Sequence, residues 1–415
     1  MPTNTTVVLS DSVRTQYMSE YTIGALGARV YDLFAMAPVG RPMVELMKGS
    51  SVQMNFLSDL ALGVSAISQV ADLDPVTFRD ATASITPTSR GNAVQDSELL
   101  LIQNFLNYDG SAGAKMKKLG KNQMESVEVL ASNAAMQGTN IYRSAARASL
   151  DAGTTADRLT DTTFARAETR FSTLKVPSFL DARGMRVDSA PGYAALMHPM
   201  IYHDLRTSGL IDDVGVYQDK GIILNWALGR VGPFQILVSP HAKTFWGAGA
   251  DNGSNVNTTL SGAESALDLT VVVASATNID VGDWLNIGTE ETGDTHYPDN
   301  ERVWVTSVSG TTIGVVGEGD NGGLKFDHVS GTAVRNADSA FTVLFGGATS
   351  LAKLYATGYI GDKVYDEGPY GAVVGPIFSG NVQQYAGVGW KFYGGYGRFN
   401  EAWLLRGEFS SSLEA

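Results

Sequence analysis

Residues 112–149 constrain this chain more than any other stretch. Within them the run AKMKKLGKNQMESVEVLASNAAMQ is rich in strong helix formers. Met116, Leu119, Gln123, Val127, Leu130 and Ala134 fall on one face at the helical period, so the spacing predicts one long helix. Lys115, Lys117, Lys118 and Lys121 flank its start. Such a run is ordinarily a solvated face, with contact to nucleic acid as the alternative.

What precedes the helix is different in character. Val13, Tyr17, Tyr21, Leu26, Val30, Leu33 and Phe34 make an apolar stripe over residues 1–49, with Asp11 or Ser12 as a cap. Pro38, Gly40 and Pro42 break it. From residue 50 the period becomes two. Val52, Met54 and Phe56 alternate with polar residues, and a second alternating run carries Val76, Phe78, Ala83 and Ile85. Pro87 and an Arg90-Gly91-Asn92 turn then separate it from residues 93–102. The layout predicts a long hairpin without a compact core of its own. A lone two-stranded ribbon is marginal in water, so it reaches for another chain.

After the helix, residues 160–175 read as a second one. Thr160 or Asp161 caps it, Phe164, Ala167, Phe171 and Leu174 form its stripe, and Pro177 ends it. YAALMHPMIYHDLRTS reads as a strand, then a helix opened by Pro199. Ile222–Leu224 and Phe234–Val238 read as short strands, and the small, polar run 250–262 as a linker or loop tip. Residues 263–336 look like a separate β module, a small barrel or sandwich. Its strands start at Leu269, Trp284, Val303 and Thr312, with turns at Val281-Gly282-Asp283 and Ser309-Gly310. The pattern that runs up to residue 249 resumes at Phe341–Phe345 and Leu351–Tyr355, which points to an insertion into a host domain.

Composition narrows the function classes. A chain of 415 residues can bury a large core and suggests two or three domains. It has no cysteine, which excludes disulfides, thiolate metal sites and cysteine nucleophiles, and fits folding in a reducing cytoplasm. No run approaches the ~20 apolar residues of a membrane helix. The N-terminal MPTNTTVVLSDSV lacks the pattern of a secretory signal. With a net charge of −13, the chain gains nothing from counterion release on a phosphate backbone. Tight nucleic-acid binding is not expected of it. A container that holds DNA by confinement remains compatible.

Candidate chemistry is weak. His198, His203 and Asp204 make H-x4-H-D, which misses the i, i+4 spacing that puts two metal ligands on one helical face. His198, ahead of Pro199, reads as a turn or core histidine. Ser350 and Lys353 match S-x-x-K without its companion motifs. Gly113, Gly120 and Lys121 miss the phosphate-loop spacing, and Gly247, Gly249 and Gly253 miss the dinucleotide spacing. Asn252 and Asn257 begin Asn-x-Ser/Thr sites that carry little weight without a secretory signal. The expectation is no catalytic, cofactor-binding or metal residue, and no enzyme.

Three segments carry a resemblance. GVGWKFYGGYGRFNEAWLLRGEFSSS, with Gly389-Trp390-Lys391 and Trp403-Leu404-Leu405-Arg406, resembles the closing segment of tailed-phage major capsid proteins of the Hong Kong 97 fold. There a Gly-Trp-Lys and a following strand complete the sheet at the subunit's heart. GRVGPFQILVSPHAKTFWGAG resembles that family's axial-domain strand and turn. YAALMHPMIYHDL resembles its peripheral-domain signature at Tyr193, His198, Pro199, Asp204 and Leu205. The likeness is nearest the N-four-like podovirus branch and covers nearly the whole chain outside 263–336.

The resemblance implies an α+β fold divided in the family's order. Residues 1–49 form an N-terminal arm and helix, 50–111 the extended loop, and 112–204 the peripheral domain with its spine helix. Residues 205–262 and 337–415 form the axial domain and closing strand, and 263–336 an inserted β-barrel or sandwich. It further implies self-assembly into hexamers and pentamers of an icosahedral virion shell around double-stranded DNA, built in the host bacterial cytoplasm. Scaffolding protein, portal and a decoration protein would be partners. No membrane is implied. Some members weld subunits through an extended-loop lysine, but residues 49–114 contain none, so that bond is not expected here. Alternatives from other classes are a β-rich virion adhesin or tail protein, a metal-dependent hydrolase, and a nanocompartment subunit of the same fold.

Overall fold

The computed structural model describes residues 30–35, 39–42, 51–57, 77, 80–97, 108–179, 192–208, 230–250, 256–289, 299–319, 321–360, 363–365, 372–379 and 385–414. The chain folds as two units. One comprises 1–29, 35–131 and 351–400; the other comprises 30–34, 132–350 and 401–415. The helix expected before residue 34 and the strand at Ile222–Leu224 lie outside the described residues, apart from a single 3-10 turn at Tyr31–Phe34.

The first unit is a twisted sheet with a helix on it. Its hydrogen-bonded path runs Val39–Pro42, Leu351–Ile360, Tyr385–Arg398, Ala372–Ser379; Lys363–Tyr365 joins the second strand and Thr88–Ser97 the third. The first pair is parallel and the rest antiparallel. Helix α1 spans Tyr108–Met136, and its last turn enters the second unit. Leu119 and Val127 are buried on α1 against Trp390 and Phe392, with Leu130 alongside. Gln123 and Ala134 of the expected face are buried too. Asn122 fixes the register of helix on sheet, since its Oδ1 accepts from Trp390 Nε1 at 3.0 Å.

The helix begins earlier than sequence suggests and stops at Met136, not at 149. Past Gly138 the backbone N–H groups of Thr139 and Asn140 donate to Glu401 Oε1 (2.7 and 2.9 Å), and the chain enters a short strand, Ile141–Tyr142. Once a carboxylate captures the Thr139 and Asn140 donors, the helical ladder has no reason to continue.

The Arg90-Gly91-Asn92 turn is also absent. These residues lie inside Thr88–Ser97, paired with Phe392, Lys391 and Trp390. A Cβ on Gly91 would come within 2.5 Å of the Trp390 carbonyl oxygen. The glycine allows close backbone approach between strands and is not a turn signal.

The second unit centres on a mixed sheet in the order Ile141–Tyr142, Leu404–Phe409, Ala340–Gly346, Tyr193–Met197, Phe234–Val238, Arg230–Val231. The closing segment therefore divides: Gly389–Lys391 sits in the first unit's sheet and Leu404–Phe409 in this one. Helix α2, Asp161–Thr173, buries Phe164 and Phe171 on the sheet. Phe164 meets Phe345 edge-on at 5.4 Å, and Phe171 meets Tyr193 at 5.1 Å. Leu174 does not join them. It caps the C-terminus and is exposed, because the stripe ends with the helix. Helix α3 is Pro199–Thr207.

Six strands close on themselves in the same unit. Their order is Asn257–Thr259, Ala333–Arg335, Trp284–Ile287, Glu301–Ser309, Thr312–Val316, Thr270–Val272. The last returns to the first through Ser261 N to Val272 O and Ala274 N to Thr259 O, both 2.8 Å. Val256, Leu260, Val271, Leu285, Ile287, Val303, Val305, Ile313, Val315 and Val334 are among the residues that fill the interior. Each contributes roughly 1.5–3 kcal/mol through burial. The strand Asn257–Thr259 starts within the polar run read as a linker; its pairing partners, not its own apolarity, make it a strand.

Candidate functional site

The histidines and carboxylate that sequence singles out hold the fold. His198 is the N-cap of α3, where its Nδ1 accepts the Met200 N–H at 3.3 Å, so the proton sits on Nε2. Its ring packs 5.1 Å from Phe341. Desolvation, reinforced by the positive charge of Arg302, lowers its pKa to about 4. His203 is half exposed, 3.6 Å from Asp204. Asp204 is buried and accepts from the Ser412 N–H at 2.9 Å and from the Ser412 hydroxyl. It fastens the turn Ser412–Glu414 to α3. Among the described residues no group of three potential ligands could hold a metal ion.

The other weak motifs dissolve into structure. The Ser350 hydroxyl donates to the Gly347 carbonyl (2.9 Å), and the buried Lys353 places its ammonium 5.3 Å from the Tyr396 ring centre. Gly120 and Lys121 lie inside α1, where Lys121 pairs with Glu125 at 3.5 Å. Lys117 and Lys118 are exposed on it. Gly247 takes φ +62° and Gly249 donates to the Asp338 carbonyl, so both serve turns. Gly253 and Asn252 lie outside the described residues, and Asn257 is in a strand. Trp246, Asn286, Asn300 and Arg335 line a small cavity, no larger than a water molecule needs.

Two features escape sequence reading. One is a buried network of charge. Glu408 is fully buried and meets Arg147 at 2.8 Å, Arg406 at 3.1 Å and Arg143 at 3.6 Å. The Arg147 guanidinium lies 3.6 Å over the Phe245 ring. Separately, Arg302 on the closed sheet pairs with Glu414, whose Oε2 accepts from the Ser339 N–H at 2.6 Å. Burial pushes the Glu414 carboxyl up to about 7, against the opposing pull of Arg302. The alternation of Arg406 and Glu408 within WLLRGEF is the available signal, since it puts both on one face of a strand whose neighbours are apolar.

The other feature is β structure in the first unit that no further described strand covers. Val52–Leu57 and Asp80–Ile85 pair with each other in a two-stranded sheet of their own. Thr88–Ser97 is bonded along one edge to Tyr385–Gly394, and residues 88–95 are exposed. No strand covers its other edge among the described residues.

No protein-family model matches the sequence, and no curated protein matches it. Among solved structures, the capsid of Ralstonia phage GP4 is similar at 12% identity and a TM-score of 0.48, over 92% of this chain and 86% of that one. The capsid asymmetric unit of cyanophage Pam1 is similar at 9% and 0.48, over 93% and 94%. A virus-like particle from Pyrococcus furiosus is similar at 8% and 0.41, over 94% and 98%. At these values the likeness is slight in both sequence and superposition.

Proposed function

We propose that the chain is a structural protein of a virion, the major capsid protein of a tailed bacterial virus. Copies of it assemble into hexamers and pentamers of an icosahedral shell around double-stranded DNA. The observation that carries the reading is the two-stranded ribbon and the uncovered sheet edge among the described residues of the first unit. Among the described residues the ribbon hydrogen-bonds only to itself, with Val52 and Ile85 packed on the sheet, and an edge strand exposed over residues 88–95 is a template for another chain. Identical copies supply both partners at once. The ordered motifs at Tyr193–Leu205, Gly229–Gly249 and Gly387–Ser412 support it, as does the use of His198, Asp204 and Lys353 for packing and capping.

In this reading residues 50–111 are the extended loop, α1 is the spine, and 263–336 is a β module inserted into the axial domain. Scaffolding protein, portal and a decoration protein complete the assembly in the host cytoplasm, and the DNA is held by confinement. Multivalency lets each contact between copies be modest. Concentrated purified protein, imaged in negative stain, should show closed particles. Denatured particles should run as a single band at the chain's 44.1 kDa, since no lysine lies in 49–114 to weld them. A protein that stays monomeric at every concentration overturns the proposal, and a covalent ladder overturns its unwelded form.

A further inference from the structure

The closed sheet holds most of the molecule's charge imbalance. Residues 256–336 carry twelve carboxylates against three basic side chains, a net −9 of the chain's −13. On their outer face Trp284, Trp304 and Val316 are direct cross-strand neighbours, and all three are exposed. The two indoles meet edge to face at 5.0 Å. Arg302 already places its guanidinium 4.5 Å over Trp284, so one indole is occupied by a cation from its own chain. Trp304 has no such cover among the described contacts. Asp280 is exposed in the turn that leads into Trp284.

We propose that this row is an interaction surface for a basic protein segment, one that presents arginine or lysine beside apolar side chains. The sign of the charge selects the occupant. A second copy would bring another −9 in its own residues 256–336, and like charges oppose that contact. A basic segment gains attraction at long range, and its cation gains an indole face at short range. Exposed tryptophan supplies large, rigid contact area, the kind that dominates binding energy at protein interfaces. The inference does not rest on the shell-forming reading.

The test uses the full chain at a concentration where it is unassembled. A labelled peptide alternating arginine and leucine is titrated by anisotropy, beside a glutamate–leucine peptide of equal length. Saturable binding of the basic peptide alone is expected. It should weaken about tenfold in about 0.5 M salt. It should also weaken at least about fivefold in Trp304→Ala. Asp280→Lys, which touches only an exposed rim position, should weaken it as well and guards against a folding defect in the tryptophan variant. Binding unchanged in both variants, or equal for the two peptides, overturns the proposal. So does self-association that Trp304→Ala abolishes, which would make the occupant a second copy. Tryptophan quenching by maltoheptaose that is lost in the same variant would make it a sugar and overturns the proposal too. Closed particles in the imaging experiment would leave each of these outcomes as it stands.

Discussion

Three guanidinium groups held close together inside a protein need a carboxylate to offset their charge. Glu408 carries that role against Arg143, Arg147 and Arg406. Glu408→Gln keeps the volume and removes the compensation, and an uncompensated buried charge costs about 3–5 kcal/mol. Urea unfolding should show a loss of that order. A loss under about 1 kcal/mol would mean that solvent screens the arginines. Two other residues give stability opposite slopes with pH. The folded pKa of Glu414, about 7, lies above its ordinary 4.5, so its contribution is full below 4.5 and is lost as pH rises through 7. His198 is lowered from 6.5 to about 4, so its contribution is full above 6.5 and is lost as pH falls through 4. Glu414→Gln should therefore flatten the decline toward neutral pH. His198→Asn, which keeps a good N-cap, should flatten the decline toward acid. Urea midpoints recorded against pH check both, and the same slope in wild type and variant would refute the assignment.

Among elements, the pairing of Thr88–Ser97 with Tyr385–Gly394 is sensitive to a single change. Gly91→Val would drive a side chain into the Trp390 carbonyl, and the strand would have to move away from Trp390 and Phe392. About 1–3 kcal/mol should be lost. Hydrogen exchange should show protection falling along residues 88–97 first; unchanged protection there would contradict the register. This element also shows where sequence is legible and where it is not. The period of α1 is readable because Leu119 and Val127 bury one stripe against Trp390 and Phe392. The Phe164–Ala167–Phe171 stripe is readable for the same reason, and the start of α3 because Pro199 suits the first helical position. Arg90-Gly91-Asn92 misleads because glycine serves turns and close strand contacts alike, and only the partner strand decides. The end of α1 depends on Glu401, more than 250 residues away, which no local window contains. The role of His198 is legible because Pro199 follows it, whereas the partners of Glu408 and Glu414 are set by tertiary packing alone.

At the scale of the molecule, charge is unevenly placed: residues 256–336 hold −9, and the remainder of the chain only −4 of the total −13. Electrostatic influence on partners is therefore concentrated in one closed sheet. That sheet is also fastened at its base. The Val256 N–H donates to Asn336 Oδ1 at 2.9 Å, Asn286 Nδ2 to the Ala337 carbonyl at 3.0 Å, and Arg302 pairs with Glu414. Asn257 and Arg335 stand opposite each other in register, so the backbone departs and returns within one strand spacing, ~5 Å. Replacing 257–335 by an Asn-Gly turn, with Glu414→Gln to spare the orphaned carboxylate, should leave a soluble chain with native exchange protection at Ala340–Gly346. Aggregation of that deletion, with Leu404–Phe409 unprotected, would show that the rest depends on the missing part. If the deletion folds, the site is a socket: any foreign domain whose two ends lie side by side can be spliced there as cargo, with no strand elsewhere needing a new register.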